Sequence, residues 1–469
     1  MSLIRLRGAW LALCCLCLFA CSTAPHNTAR NLPAIKPAAQ AVPPLREPVD
    51  VFGETAVAMS FSGGGIRAAA FSFGALQGLD ALPLDGQRAL LDELSFISSV
   101  SGGSMTAAYY GLHGKDTLNS FRSVLLKDGE ADLRFSLVNP LNIARLMAGG
   151  LNDRQDLQRW LDADVFRGAS YADMFRRGKP IVMVNATNVY HRIAFPFTQR
   201  AFDLLCSDLA SYPVADAVAA SMAVPLFFAP VVLEKHPDAC VTALPEVSTR
   251  GNDAHSLLAL AVKKGVQDIR DAGKGRYIKL IDGGVTDNYG LTSIMQSRLL
   301  RGAPYGPLTE TDAVRTRKML FVVVDAGQSP SGDWNQRESG PSGVELASAA
   351  IDSAIDTNVR MSYDNFVPMM KQWQRDVIDY RCALPAARQQ ALAAARPGWR
   401  CDDVEFVVTR VSFDDLGAER SARLNAIPTR LSLPEAQVDQ LIAAGREAVM
   451  HSAVVQRFVA ATRAAPAAR

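Results

Sequence analysis

The sequence predicts a three-layer α/β/α sandwich. Short runs that are apolar on both faces recur along the chain, as strands covered by helices on each side read. Two of these runs end in glycine- and serine-rich turns that open into alanine-rich, helix-periodic stretches. With 469 residues, 49% apolar and 20% charged, the chain can bury a sizeable core in one large or two ordinary domains.

The first run is Ala56–Phe61 (AVAMSF), ended by Ser62-Gly63-Gly64-Gly65 and followed by a helical pattern to about Leu82. Leu94–Val100 followed by Gly102–Gly114 repeats that arrangement. Residues 116–175 read as several helices inserted as a cap between the second and third strands. Further strands are expected at Pro180–Asn185, Tyr277–Asp282 and Lys318–Asp325. Residues 231–275 look like a more polar insertion, and 330–375 and 434–462 like long C-terminal helices that complete the core. The chain therefore divides into a leader (1–20), a tether (21–50), a body (51–330) and a helical extension packed on it (331–469).

The leader, MSLIRLRGAWLALCCLCLFA, has Arg5 and Arg7 before an apolar stretch from about Ala9 to Ala20. About a dozen apolar residues fall short of the roughly twenty that span a bilayer, so the segment reads as a secretory signal. Leu18-Phe19-Ala20-Cys21 resembles the lipobox of bacterial lipoproteins, which implies cleavage before Cys21 and its acylation; the alternative is an ordinary signal with a stray cysteine. Ser22, in place of aspartate, resembles the pattern sorted to the outer membrane. Prolines at 25, 33, 37, 43, 44 and 48 then suggest a semi-extended tether between the lipid and the body.

Loss of Arg5 and Arg7 with the leader brings the basic residues level with the 47 acidic ones. A neutral chain offers no electrostatic argument for nucleic acid as a partner. Beyond Cys21 four cysteines remain: Cys206, Cys240, Cys382 and Cys401. In an oxidising envelope an even number favours two disulfides, and the shortest loops pair Cys206 with Cys240 and Cys382 with Cys401, the other two connectivities staying open. No C-x-x-C spacing points to zinc.

Three readings apply to the first glycine turn. Gly63-Gly64-Gly65-Ile66-Arg67-Ala68 satisfies the dinucleotide fingerprint, but the second strand ends in Ser98-Ser99-Val100-Ser101 without the carboxylate that would hold a ribose. Consecutive glycines before a helix also suit an oxyanion hole. The third reading is a structural turn. At the second turn, small residues on both sides of a serine are the pattern of a nucleophile elbow, and in SSVSGGS only Ser101 has them at both −2 and +2.

Two bases compete for that serine. An α/β-hydrolase would follow the order Ser, Asp or Glu, His, and only His451 lies in the C-terminal fifth, within a helical pattern. Asp282, in Ile281-Asp282-Gly283-Gly284, ends an apolar strand at the sheet edge, and as a base it would need burial to raise its carboxyl above the usual 3.9.

Four stretches in order, SGGGIRAAAFSFGAL, SSVSGGSMTAAYY, ASMAVPLFFAP and LIDGGVTDNYGL, resemble the patatin-like phospholipases over roughly residues 55–300. The resemblance implies a lipid acyl hydrolase with Ser101 as nucleophile, Asp282 as general base and Gly63, Gly64 and Gly65 as the oxyanion loop. Arg67 falls where related cytosolic phospholipases place an arginine near the lipid phosphate. Ala68 and Ser99 depart from the plant-type pattern, where glycine is usual. The chemistry so implied uses no metal or organic cofactor, its partner is a membrane phospholipid or other lipid ester, and the inserted helices would line an acyl groove or pack as core. A protein that only binds lipid or a partner through this fold is the competing expectation.

Overall fold

The computed structural model describes residues 26–35, 45–136, 138–243, 256–300, 302–327, 336 and 338–463. The expected leader and Cys21 lie outside the described residues. Among those residues, no helix is long and apolar enough to cross a membrane.

A mixed eight-stranded sheet sits between two helical layers. Its strands are β1 Thr55–Phe61, β2 Leu94–Val100, β3 Ile181–Asn188, β4 Ile193–Phe197, β5 Val231–Glu234, β6 Tyr277–Asp282, β7 Lys318–Asp325 and β8 Glu405–Ser412. The order is β8-β7-β1-β2-β3-β6-β5, with β4 also on β3. The run from β8 to β3 is parallel, whereas β4 and β6 lie antiparallel to β3, and β5 antiparallel to β6. Alternation along each strand divides the core. On β1, Val57, Met59 and Phe61 face one helical layer and Ala58 the other.

The first layer holds α1 Gly65–Asp80 and α2 Gly102–His113. α1 is apolar nearly all round because it is covered nearly all round. Over the inserted region runs α3 Pro140–Ala148. The second layer is built from α4 Leu291–Leu299 and the 40-residue α5 Gly343–Cys382, whose Phe366, Met370, Trp373 and Val377 recur at helical spacing against Phe321 and Phe406. α6 Glu435–His451 closes the first layer by crossing α1 at backbone distance: a Cβ on Gly74 would stand 2.0 Å from the Ile442 carbonyl oxygen, and one on Gly445 2.0 Å from that of Phe71.

Three expectations need correction. The C-terminal part is not only helical, because β8 extends the sheet beside β7 and α6 shares its core with α1. The 231–275 segment contributes β5, a sheet strand, besides the helix Leu257–Arg270. Residues 26–35 are not a free tether: Leu32 and Pro33 pair with Asp208 and Ser207, and the buried Asn31 amide donates to Ser207 Oγ (2.9 Å) and the Glu234 carbonyl (2.8 Å). Next to this strap Cys206 pairs with Cys240 (Cα–Cα 4.5 Å), and at the end of α5 Cys382 pairs with Cys401 (4.9 Å), the shortest-loop connectivity.

Candidate active site

Ser101 occupies the single residue between β2 and α2, with φ 50° and ψ −125°. A non-glycine residue held there carries a strain of about 1–3 kcal/mol, which surrounding contacts must sustain. Those contacts begin with glycine. A Cβ on Gly102 would lie 1.9 Å from the Gly65 carbonyl oxygen, so the two turns approach only because that position has no side chain.

The Ser101 backbone N–H donates to Ser221 Oγ at 2.8 Å, and the Ser221 hydroxyl donates to the Asn185 carbonyl at 2.6 Å. The Ser101 hydroxyl donates to Asp282 Oδ2 at 2.9 Å. This meeting follows from topology. Val100 of β2 is level with Asn185 of β3, and the next β3 residue, Ala186, is level with Asp282 because β6 runs back antiparallel from beyond the end of β3.

Asp282 is 7% exposed, and its second oxygen accepts the Gly284 N–H at 2.8 Å. Burial pushes its carboxyl up to about 6, against the lowering effect of hydrogen bonds from Gly284 and Ser101. A carboxyl in that range is largely ionised near neutrality and strong enough as a base to accept a proton from a neighbour. Nearby Asp287 is also raised to about 6 by burial; it accepts the backbone N–H groups of Tyr289 (3.3 Å) and Thr292 and so shapes the loop after Asp282.

The glycine turn is more selective than three equal donors. The Gly63 N–H is engaged by the Asn288 carbonyl (3.1 Å) and Oδ1 (3.2 Å), and the Ile66 N–H by the Arg430 carbonyl (2.8 Å). Gly63 is thereby removed from the expected oxyanion set. The N–H groups of Gly64, Gly65 and Gly102 have no partner among the described residues.

Arg67 is not presented to a substrate. It is 2% exposed, and its Nε and Nη1 donate to the carbonyls of Ala326 (3.1 Å) and Ile427 (2.8 Å), tying β7's exit to a C-terminal loop. Burial lowers its pKa to about 10, opposed by Asp325, so it stays charged at neutral pH. An arginine in the first turn of α1 points back over its own N-terminus, into this closed space. His451 also fails the expectation of a triad: it ends α6 with its side chain 70% exposed, 3.7 Å from Glu447.

Sequence reasoning missed Ser221, Asn185 and Asn288. Ser221 was in view inside ASMAVP, but nothing in its spacing said that its hydroxyl would reach the Ser101 amide across 120 residues.

A serine at a strand–helix elbow, hydrogen-bonded to a buried carboxylate on a helix-covered sheet, pairs a candidate nucleophile with a candidate base. A family model of patatin-like phospholipases matches residues 59–295, half of the chain, and the chain belongs to that family. No curated protein matches the sequence. Solved structures that it resembles include the human GIVD cytosolic phospholipase A2 (12% identity, TM-score 0.41, covering 87% of this chain and 62% of that one). VipD from Legionella pneumophila (13%, 0.30, 90% and 71%) and the ExoU–SpcU complex of the Pseudomonas aeruginosa type III secretion system (14%, 0.23, 79% and 64%) are others. The chain thus spans less than two thirds of the human enzyme's length.

Proposed function

We propose that the chain hydrolyses lipid acyl esters, as a phospholipase A or lysophospholipase, through a Ser101–Asp282 dyad. The observation that carries this is the 2.9 Å hydrogen bond from the Ser101 hydroxyl to a buried carboxylate. Ser101 Oγ attacks the ester carbonyl carbon while Asp282 Oδ2 takes the hydroxyl proton. The oxyanion is held by amides of the Gly64, Gly65 and Gly102 set, each such donor being worth about 10²–10³ in rate. The carbon–oxygen bond to the alcohol breaks, Asp282 returns its proton to the leaving alkoxide, and an acyl-Ser101 remains. Water then attacks this ester, gives its proton to Asp282, and releases the fatty acid as the proton returns to Ser101 Oγ.

From the Leu18–Cys21 stretch and Ser22 we further infer a lipid-anchored envelope lipoprotein, acylated at Cys21 and sorted to the outer membrane, which would meet its substrate at a membrane surface. The apolar side chains that α3 presents to solvent support contact with such a surface.

The test is incubation of the full chain with a fluorophosphonate probe and peptide mapping. Label on Ser101 that is lost in Asp282→Asn and kept in His451→Ala is the expected result. Folded protein without label would favour a binding protein instead.

A further inference from the structure

The loop after β6 carries a polar group that the dyad chemistry leaves unused. Asp287 and Tyr289 are both buried in this loop, and Asn288 between them is half-buried. The Tyr289 hydroxyl donates to Asp325 Oδ2 at 2.5 Å, and Asp287 accepts the backbone N–H of Thr292. Asn288 is therefore held from both sides by residues anchored in the core.

Its carboxamide stands between the two members of the dyad. A Cβ built on Gly63 would collide with Asn288 Oδ1 and lie 3.2 Å from Ser101 Cβ. One built on Gly284 would lie 2.8 Å from the same amide oxygen and 3.1 Å from Asp282 Oδ1. A single carbon thus bridges this amide to the nucleophile's side chain, and another bridges it to the base. The Gly63 N–H donates to Asn288 Oδ1 at 3.2 Å, which fixes the orientation of the amide. Nδ2 is left with two protons and no acceptor among the described residues. A fixed donor without a protein partner, beside the reacting atoms, is available to the substrate.

The stereochemistry of acyl transfer decides which substrate atom it meets. The tetrahedral carbon formed on Ser101 Oγ bears two further oxygens. One carries the negative charge and faces the amides of the Gly64, Gly65 and Gly102 set. The other belongs to the leaving alcohol and must lie on the Asp282 side, because Asp282 Oδ2 returns its proton there. Asn288 borders that side through Gly284.

We propose that Asn288 is a further catalytic residue, whose Nδ2 donates a hydrogen bond to the leaving alcohol oxygen and, in the second half-reaction, to the water that replaces it. The inference rests on the hydrolase reading. Asp282 supplies the proton, and Asn288 supplies only a charge-assisted hydrogen bond to the alkoxide as its bond to the acyl carbon breaks. In deacylation the water accepts from Nδ2 with one lone pair, attacks the acyl carbon with the other, and gives its proton to Asp282 Oδ2.

The experiment compares Asn288→Ala with the parent, each as the full chain, on two esters of one fatty acid. One ester is made with para-nitrophenol, whose phenolate leaves unaided, and the other with an alkyl alcohol. Values of kcat/KM report formation of the acyl-enzyme, and a pre-steady-state burst reports its slow breakdown. The expected fall in kcat/KM is about 10–100-fold for the alkyl ester and less than about threefold for the para-nitrophenyl ester. The variant should also release para-nitrophenolate in a burst, since deacylation alone is slowed on that substrate. An equal fall on both esters would overturn the proposal, because loss of an oxyanion donor or slackening of the Gly63 turn acts on every leaving group alike. An unchanged rate on the alkyl ester overturns it as well. If Asn288→Ala does not fold, Asn288→Asp decides: its carboxylate still accepts the Gly63 N–H but donates nothing, so the alkyl ester must again lose more, and an even loss overturns the inference. A folded parent inactive on both esters sinks the hydrolase reading and this one together, whereas an active parent with an even loss in the variant overturns this one alone.

Discussion

Ser101 Oγ lies 2.9 Å from Asp282 Oδ2, and the two residues come from strands on opposite sides of β3 in the sheet order. Neither is aimed by its own element alone. Ser221 fixes the Ser101 amide and the Gly284 amide fixes the other carboxylate oxygen, so the pair is held from both ends before any ligand arrives.

Replacing either partner separates chemistry from folding. Ser101→Ala removes the nucleophile and Asp282→Asn the base, and each is expected to lower kcat by about 10²–10⁴ or more while the melting temperature stays level or rises. Parallel kinetics and thermal melts check this. An Asp282→Asn enzyme with normal kcat would rule out the carboxylate as base.

The pH dependence has a definite sign. Asp282 is raised from an ordinary 3.8 to about 6, so kcat/KM should fall tenfold per pH unit below about 6 as the base takes up a proton. Its stability contribution runs the other way: the folded state binds this proton more tightly than the unfolded chain, so the contribution is complete below about pH 3.8 and lost as pH rises through about 6. Asp282→Asn abolishes that titration. Its stability relative to the parent should therefore grow between pH 4 and pH 7, by about 2 kcal/mol. Denaturant melts at both pH values read the difference, and a constant gap would show that the carboxyl is not perturbed.

Ser221→Ala tests positioning without touching a reacting atom. The change leaves the Ser101 N–H and the Asn185 carbonyl without their shared partner, so the elbow loses a restraint on its positive φ. A fall of about 10–100-fold in kcat with KM nearly unchanged is expected, because misplacement by less than an ångström affects the transition state more than binding. Restoration by Ser221→Thr, which keeps the hydroxyl, would separate this role from packing.

What the chain discloses before folding follows from where its information is local. β1, β2, β3 and β7 are legible because each is buried on both faces and reads as a mainly apolar run, and β6 because buried Ile278 and Leu280 alternate with exposed Tyr277 and Lys279 ahead of the Asp282 turn. β4 was hidden by Pro196, β5 by its four-residue length, and β8 by Arg410 and Glu405 on its exposed positions. At the site, the Ser101 elbow and the Asp282 turn are short-range patterns. The engagement of Gly63 by Asn288 and of Arg67 by Ala326 and Ile427 joins residues more than 200 positions apart, and no spacing rule reaches that far.

Arg67 makes a prediction opposite to that of a phosphate ligand. Its loss leaves two buried carbonyls unpaired, at about 1–3 kcal/mol each, and frees the loops around Ala326 and Ile427. Arg67→Met should lower the melting temperature and reduce the hydrolysis of phosphate-free esters as much as that of phospholipids. A defect confined to phospholipids, on a protein of normal stability, would return Arg67 to the substrate.

α3 turns an apolar face to solvent. Leu141, Ile143 and Met147 project to solvent, Met147 being 85% exposed, and Val138 precedes them. They form neither the core nor a closed acyl groove. The segment is fastened to the ASMAVPLFF stretch, since the Leu151 N–H donates to the Leu226 carbonyl at 3.1 Å and the Phe135 and Phe227 rings lie 5.8 Å apart. The same stretch ends beside the site, where the Ala223 carbonyl accepts the Asp282 N–H at 2.9 Å. An apolar face so linked to the dyad should rest in the lipid interface during turnover. Met147→Asp combined with Leu141→Asp adds two charges that the interface disfavours, so hydrolysis of vesicle phospholipid should drop at least about tenfold. A soluble short-chain ester needs no interface, and its hydrolysis should remain within about twofold. Equal loss on both substrates would mean that the substitutions disturb the site itself, and no loss on vesicles would mean that α3 does not meet the membrane.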